Sequence, residues 1–183
     1  QITGFGSVIV SGVRFDDSDA TVVDDRGVTR SSDSLRLGMT VSVDSAAITQ
    51  DTSGRQAKAS VVRFGSVVEG PVTSVDTVNS SFVVLGQTVR VGSTTVFDDS
   101  LGAGLSALSA SMAVEVHGYV DVATRSIIAT RVERQGTTTE YKARGVIVAV
   151  DATARTLRIG SADFDYAAAT GVPSDLSVGR VVT

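Results

Sequence analysis

Gly70-Pro71-Val72-Thr73-Ser74-Val75-Asp76, followed by Ser81-Phe82-Val83-Val84-Leu85-Gly86-Gln87-Thr88-Val89-Arg90-Val91, is the stretch whose reading decides the fold. Apolar residues recur at a spacing of two, as in Val83 and Leu85 or Val89 and Val91, the mark of half-buried strands. Leu85-Gly86-Gln87 reads as a tight turn, because Gly supplies the positive φ that short hairpins need. Further strands are expected over 112–119, where Val114 and Val116 alternate, and over 126–133. Between the strand that ends at Val91 and the one over 112–119, Leu101, Leu105 and Leu108 fall at helical spacing behind Asp98 or Asp99 as a cap, which predicts a short helix weakened by Gly102 and Gly104. Three strands, a short helix and two strands is the order of an OB-type barrel.

The pattern recurs along the chain. Its opening element appears as Gly6-Ser7-Val8-Ile9-Val10, as the stretch from Gly70, and as Gly145-Val146-Ile147-Val148-Ala149-Val150-Asp151. A later element appears as Leu35-Arg36-Leu37-Gly38-Met39, as Leu108-Ser109-Ala110-Ser111-Met112, and as Leu176-Ser177-Val178-Gly179-Arg180. A spacing of roughly 70 residues exceeds most solenoid repeats and suits small domains in series. The expected fold is therefore all-β, with tandem OB-like barrels over 1–66 and 67–136 and a partial third copy over 137–183. The first copy should hold strands over 6–10, 13–15, 21–23, 39–43 and 57–64. The polar run 134–139 reads as an exposed linker.

The third copy has no counterpart of 126–133 before Thr183. An unfinished barrel exposes an unpaired edge, which is a template for another strand. Three readings stand side by side: a piece of a longer protein, a strand supplied by a partner, or an open cap. The expected assembly edge is Val181 and Val182, with Ile2, Val8 and Val10 of a neighbouring chain as donor.

Composition narrows the function classes. The 183 residues carry a net charge of -4, which argues against a general nucleic-acid binder and against docking on anionic lipid. Without cysteine there is no disulfide, thiolate metal site or thiol nucleophile. No apolar run approaches the roughly 18 residues of a membrane span. The chain begins with Gln1, so a processed leader or a fragment is expected.

Ile2-Thr3-Gly4-Phe5-Gly6-Ser7-Val8-Ile9-Val10-Ser11-Gly12-Val13-Arg14-Phe15 is distinctive, as are Leu35 to Val41, Val84-Leu85-Gly86-Gln87-Thr88-Val89 and Ala129-Thr130-Arg131-Val132-Glu133. Together they resemble a bacterial domain-of-unknown-function family found in tandem in exported, often lipoprotein-like proteins. The resemblance implies a β-repeat fold and export. It implies no catalytic residue, because the motifs are strands and turns.

Candidate chemistry is sparse. The one histidine, His117, lies by alternation opposite Val114 and Val116 and reads as a surface strand residue. A zinc site on it would need carboxylates or water as its other ligands. Asp16, Asp17 and Asp19 form an acidic stretch open to two readings, solvated turns or a weak calcium site, since calcium takes several carboxylate oxygens. No other cofactor is expected. There is no Gly-x-Ser-x-Gly elbow and no dinucleotide fingerprint, and the absence of Trp removes the strongest sugar-stacking group.

The function expected from the sequence is that of a non-enzymatic, exported structural or assembly module, periplasmic, secreted or on the cell surface. Its partner would be protein, itself or an envelope component, met through a strand edge in an oligomer or filament. The alternative is a ligand-binding module taking oligosaccharide or peptide on the face around residues 83–91.

Overall fold

The computed structural model describes residues 1–136 and 140–183; part of the predicted linker, 137–139, lies outside the described residues. The described chain is all-β and divides into two compact units, Gln1–Ser66 and Val67–Thr183. Among the described residues, no helix is long and apolar enough to cross a membrane.

The first unit contains β1 (Ile2–Gly4), β2 (Val8–Val10), β3 (Val13–Asp16), β4 (Thr21–Asp24), β5 (Thr29–Arg30), β6 (Val41–Ser45), β7 (Thr49–Asp51) and β8 (Gly54–Phe64). The long β8 organises it, pairing in parallel with β3 and β4 and antiparallel with β6 and β7. Period-two burial is clear in β3, where Val13 and Phe15 face the core and Arg14 and Asp16 face solvent. These two residues join Ile2, Val8, Val22, Leu35, Met39, Ala59 and Val62 in one apolar cluster. The expected strand over 6–10 is shorter than predicted: residues 5–7 turn the chain, with Gly6 at φ +100°, and β1 precedes them.

The second unit begins with β9 (Val68–Asp76), β10 (Ser81–Val84), β11 (Gln87–Arg90), β12 (Val96–Phe97), β13 (Ala113–Asp121) and β14 (Ser126–Arg134). Five of these close a ring in which β9 pairs with β10, β10 with β11, β11 with β14, β14 with β13, and β13 with β9. Only the β11–β14 pair is parallel. The ring encloses Val72, Phe82, Val84, Val89, Val114, Val116, Ile127 and Val132. Leu85 and Gly86 make the two-residue turn with φ of 47° and 72°, the left-handed pair that suits strand twist. The expected helix is two 3-10 turns, Asp99–Leu101 and Gly104–Ala107. Gly104 at φ +62° breaks the α-helical path, while Leu101 and Leu108 still plug the barrel.

The same unit continues as β15 (Lys142–Ala143), β16 (Gly145–Asp151), β17 (Thr156–Ile159), β18 (Ala162–Asp165) and β19 (Val181–Val182). The last four form an open sheet in the order β18-β17-β16-β19, a half-barrel over Ile147, Leu157 and Ile159. It is keyed to the closed barrel by main-chain bonds. β15 pairs with β9, and the Ser161 N–H donates to Gly86 O at 2.9 Å. Gln87, buried to 2%, donates its amide Nε2 to Ile159 O at 2.9 Å.

One tie recurs three times. The Ile2 N–H donates to Met39 O and the Gly38 N–H to Ile2 O; Val72 does the same with Met112 and Ser111; Ile147 does the same with Arg180 and Gly179. Strand register carries the equivalence further, pairing Val10 with Ile2, Val84 with Val72, and Ile159 with Ile147. Ile2 is thus the counterpart of Val72, whereas the Gly-x-Val pattern alone sets Val8 there. Both segments alternate, so only main-chain pairing distinguishes them.

Candidate functional site

Among the described residues, one group of three has metal-ligating atoms that all lie within 4.8 Å of one another: Glu115, His117 and Glu133. β13 and β14 position it. Register sets Glu115 opposite Glu133 and His117 opposite Arg131. On its other side Glu115 faces Glu69 of β9, which in turn faces Lys142 of β15. The row lies on the outer surface of the barrel, since Val114, Val116 and Val132 point inward.

His117 is fully buried, contrary to the surface position expected from alternation. Alternation correctly assigns the face, but a face lined by long cross-strand neighbours is not a solvated one. A bulge between His117 and Gly118 also shifts the register here. Gly118 makes that bulge feasible, because a Cβ on it would collide with the Ile128 carbonyl.

The polar contacts around the imidazole are specific. His117 Nε2 stands 3.3 Å from Glu115 Oε1. The other oxygen of that carboxylate, Oε2, accepts from Gln135 Nε2 at 2.6 Å. Arg131 Nε donates to Glu133 Oε1. Side-chain exposures of 21% for Glu115 and 18% for Glu133 leave the carboxylates reachable from solvent. The residue types were visible in Val114-Glu115-Val116-His117 and Arg131-Val132-Glu133; their juxtaposition required the β13–β14 register.

The acidic stretch in the first unit is arranged otherwise. Asp16 Oδ1 accepts from the Ser18 N–H at 3.1 Å, and bonds from the Ser18 side chain and backbone hold its carboxyl below the usual range. Asp19 Oδ2 is paired with Lys58 Nζ at 2.6 Å. Asp17 uses its carbonyl to close a turn with Ala20. The structure does not gather these three carboxylates into a ligand set.

The predicted edge residues separate into two kinds. Val181 and Val182 are half-buried on β19, which among the described residues pairs with β16 alone. Ile2 and Val8 lie in the core of the first unit, and Val10 packs against it. The face around residues 83–91 turns Ser81, Val83, Thr88 and Arg90 outward, opposite the inward Phe82, Val84 and Val89. A separate cleft of about 850 Å³ is bordered by Pro71, Met112, Arg134 and Tyr141.

No curated protein matches this chain, and no solved structure does. Residues 69–133, which run from the first strand of the closed barrel to its last, match the model of a family described as a domain of unknown function (DUF5666).

Proposed function

We propose that the chain is a non-enzymatic structural and assembly module that works outside the cytoplasm, in the cell envelope or extracellular matrix, through tandem OB-like copies, the last of which takes up a strand from a neighbour. Several features support this reading. The ring order first-second-third-fifth-fourth, with the third and fifth strands parallel, supports the OB-like reading. The recurring tie at Ile2, Val72 and Ile147 relates three successive segments. The placement outside the cytoplasm rests on the resemblance of the motifs to exported tandem proteins.

A single observation carries the assembly reading. In the closed barrel β14 fills the place between β11 and β13; among the described residues no strand stands in the equivalent place between β18 and β19 of the half-barrel. Phe164, Leu176 and Val182, which pack against the half-barrel core, are only partly buried. By this template the incoming strand runs parallel to β18 and antiparallel to β19. It presents apolar residues where β14 presents Ile127, Ala129 and Val132. The donor is therefore a strand of the β14 type. The segment from Ile2 to Val10 is a poor donor, because its apolar side chains are already committed to their own core.

The test is a synthetic peptide with the sequence of Ser126–Arg134 added to the purified chain. Binding that protects the amides of Ala162–Asp165 and Val181–Val182 from hydrogen exchange is expected, with loss of binding when the peptide carries Asp in place of Ile127 and Val132. A peptide that does not bind, together with a chain that stays monomeric at high concentration, would overturn the assembly reading. The alternative ligand-binding face draws no support from Ser81, Val83, Thr88 and Arg90, which offer no aromatic platform.

A further inference from the structure

We propose that Glu115, His117 and Glu133 form a binding site for a divalent cation of the zinc class, on the outer surface of the closed barrel. The donor set is one imidazole and two carboxylates, which suits zinc and its borderline neighbours better than calcium or magnesium, whose shells are oxygen alone. Three protein ligands leave a fourth position for water.

Geometry supports the assignment. Two ligands at about 2.0–2.1 Å from a tetrahedral ion stand roughly 3.3–3.4 Å apart. His117 Nε2 and Glu115 Oε1 already stand 3.3 Å apart. The third ligand atom lies within 4.8 Å of both, so a rotation of the Glu133 side chain closes the set without moving the strands. The β13–β14 register holds the two carboxylates directly opposite each other.

The surroundings act on the ligands as a supporting shell. Gln135 holds Glu115 Oε2 and leaves Oε1 turned to the imidazole. Arg131 engages Glu133 through Oε1, and a carboxylate has a second oxygen. Such outer hydrogen bonds orient ligands before the metal arrives. Charge points the same way. Like charges directly opposite on neighbouring strands are unfavourable, and Glu69 adds a third acidic side chain in register with Glu115. Arg131 and Lys142 are the basic residues paired in these rows.

His117 is the only histidine in the chain, so its imidazole gives one set of ring resonances in a proton–nitrogen spectrum. Zinc chloride is titrated into the full chain after chelator treatment, following those resonances together with calorimetry and native mass spectrometry. One zinc per chain is expected, with the imidazole nitrogen signals displaced in step with the heat. Glu133→Gln and Glu115→Gln should each weaken binding at least tenfold, while circular dichroism shows that the fold persists. Calcium should leave the imidazole signals in place. No binding at millimolar zinc, or binding that leaves the imidazole signals unmoved, overturns the proposal. The wild-type titration decides the matter even if a variant fails to fold.

Discussion

Gly118→Ala tests whether the β13–β14 bulge is imposed by the absence of a side chain. A Cβ at this position would overlap the Ile128 carbonyl oxygen and stand 3.0 Å from its carbon and 3.1 Å from Ala129 Cα. Carbon atoms pack at about 3.5–4.0 Å, so β13 and β14 must part by roughly 0.5–1 Å. All three contacts are backbone, which cannot swing away as a flexible side chain can. Parting the strands weakens the ladder bonds on either side of the bulge, at about 0.5–1.5 kcal/mol each, and loosens Val116 and Ala129 in the core. Overpacking alone costs about 1–3 kcal/mol, so a loss of about 2–4 kcal/mol is expected. The opposing effect is a gain of about 0.4–1 kcal/mol from restricting the unfolded chain. Gly92→Ala isolates that gain, because nothing lies within 4 Å of its Cβ and its φ is not positive. Urea unfolding of both variants, followed by circular dichroism, should show Gly118→Ala far less stable and Gly92→Ala unchanged or slightly more stable. A Gly118→Ala midpoint equal to that of the parent would refute the account of the bulge and of how His117 is placed.

Gln87→Ala removes the buried amide that donates to Ile159 O, a bond worth about 0.5–1.5 kcal/mol; hydrogen exchange should accelerate in β16 to β18 and stay slow in β13 and β14. Asp98 caps the first 3-10 turn through the Ser100 N–H at 2.8 Å and accepts the Arg134 N–H on its other oxygen; Asp98→Ala should cost about 1–2 kcal/mol in urea unfolding. Burial pushes the Asp98 carboxyl up, but bonds from the Ser100 side chain and from the Arg134, Ser100 and Leu101 N–H groups outweigh it and hold it below 3.8. A carboxyl depressed in the folded state contributes stability above its unfolded value and loses it as pH falls. Stability should therefore drop as pH passes below about 3.8, and Asp98→Asn should flatten that drop; an equally steep acid loss in the variant would assign it to other groups.

Much of this architecture was legible because it depends on local periodicity. Val13 and Phe15, and Val114 and Val116, alternate with polar residues, and the turn at Leu85-Gly86 carries the positive φ that Gly86 suggests. The all-β class and the order of strands from β9 to β14 follow from such signals. The opening of the first unit does not. Ile2 and Val8 both begin alternating segments, and the choice between them is made by hydrogen bonds to Gly38 and Met39, residues far along the chain. The helix expected from Leu101, Leu105 and Leu108 also follows the right spacing, but Gly104 at φ +62° divides it into two short turns.

The cluster at Glu115 was hidden for a different reason. A period of two tells which face of a strand a residue occupies and says nothing of what stands opposite. His117 lies on the outward face, as its position requires, yet it is buried. Three strands, β9, β13 and β14, bring Glu69, Glu115 and Glu133 into one row only after the barrel closes. The bulge that sets the row relative to His117 depends on Gly118, which in the sequence reads as an ordinary interruption of a strand. In a barrel of this size inner residues are constrained by volume, whereas outer residues are constrained mainly by their cross-strand neighbours. A row of three acidic side chains beside a buried imidazole is thus a choice that packing of the core does not explain. That is why the outer face of β13 and β14, rather than the hairpin face around Val83 and Val89, is where chemistry in this chain should be sought.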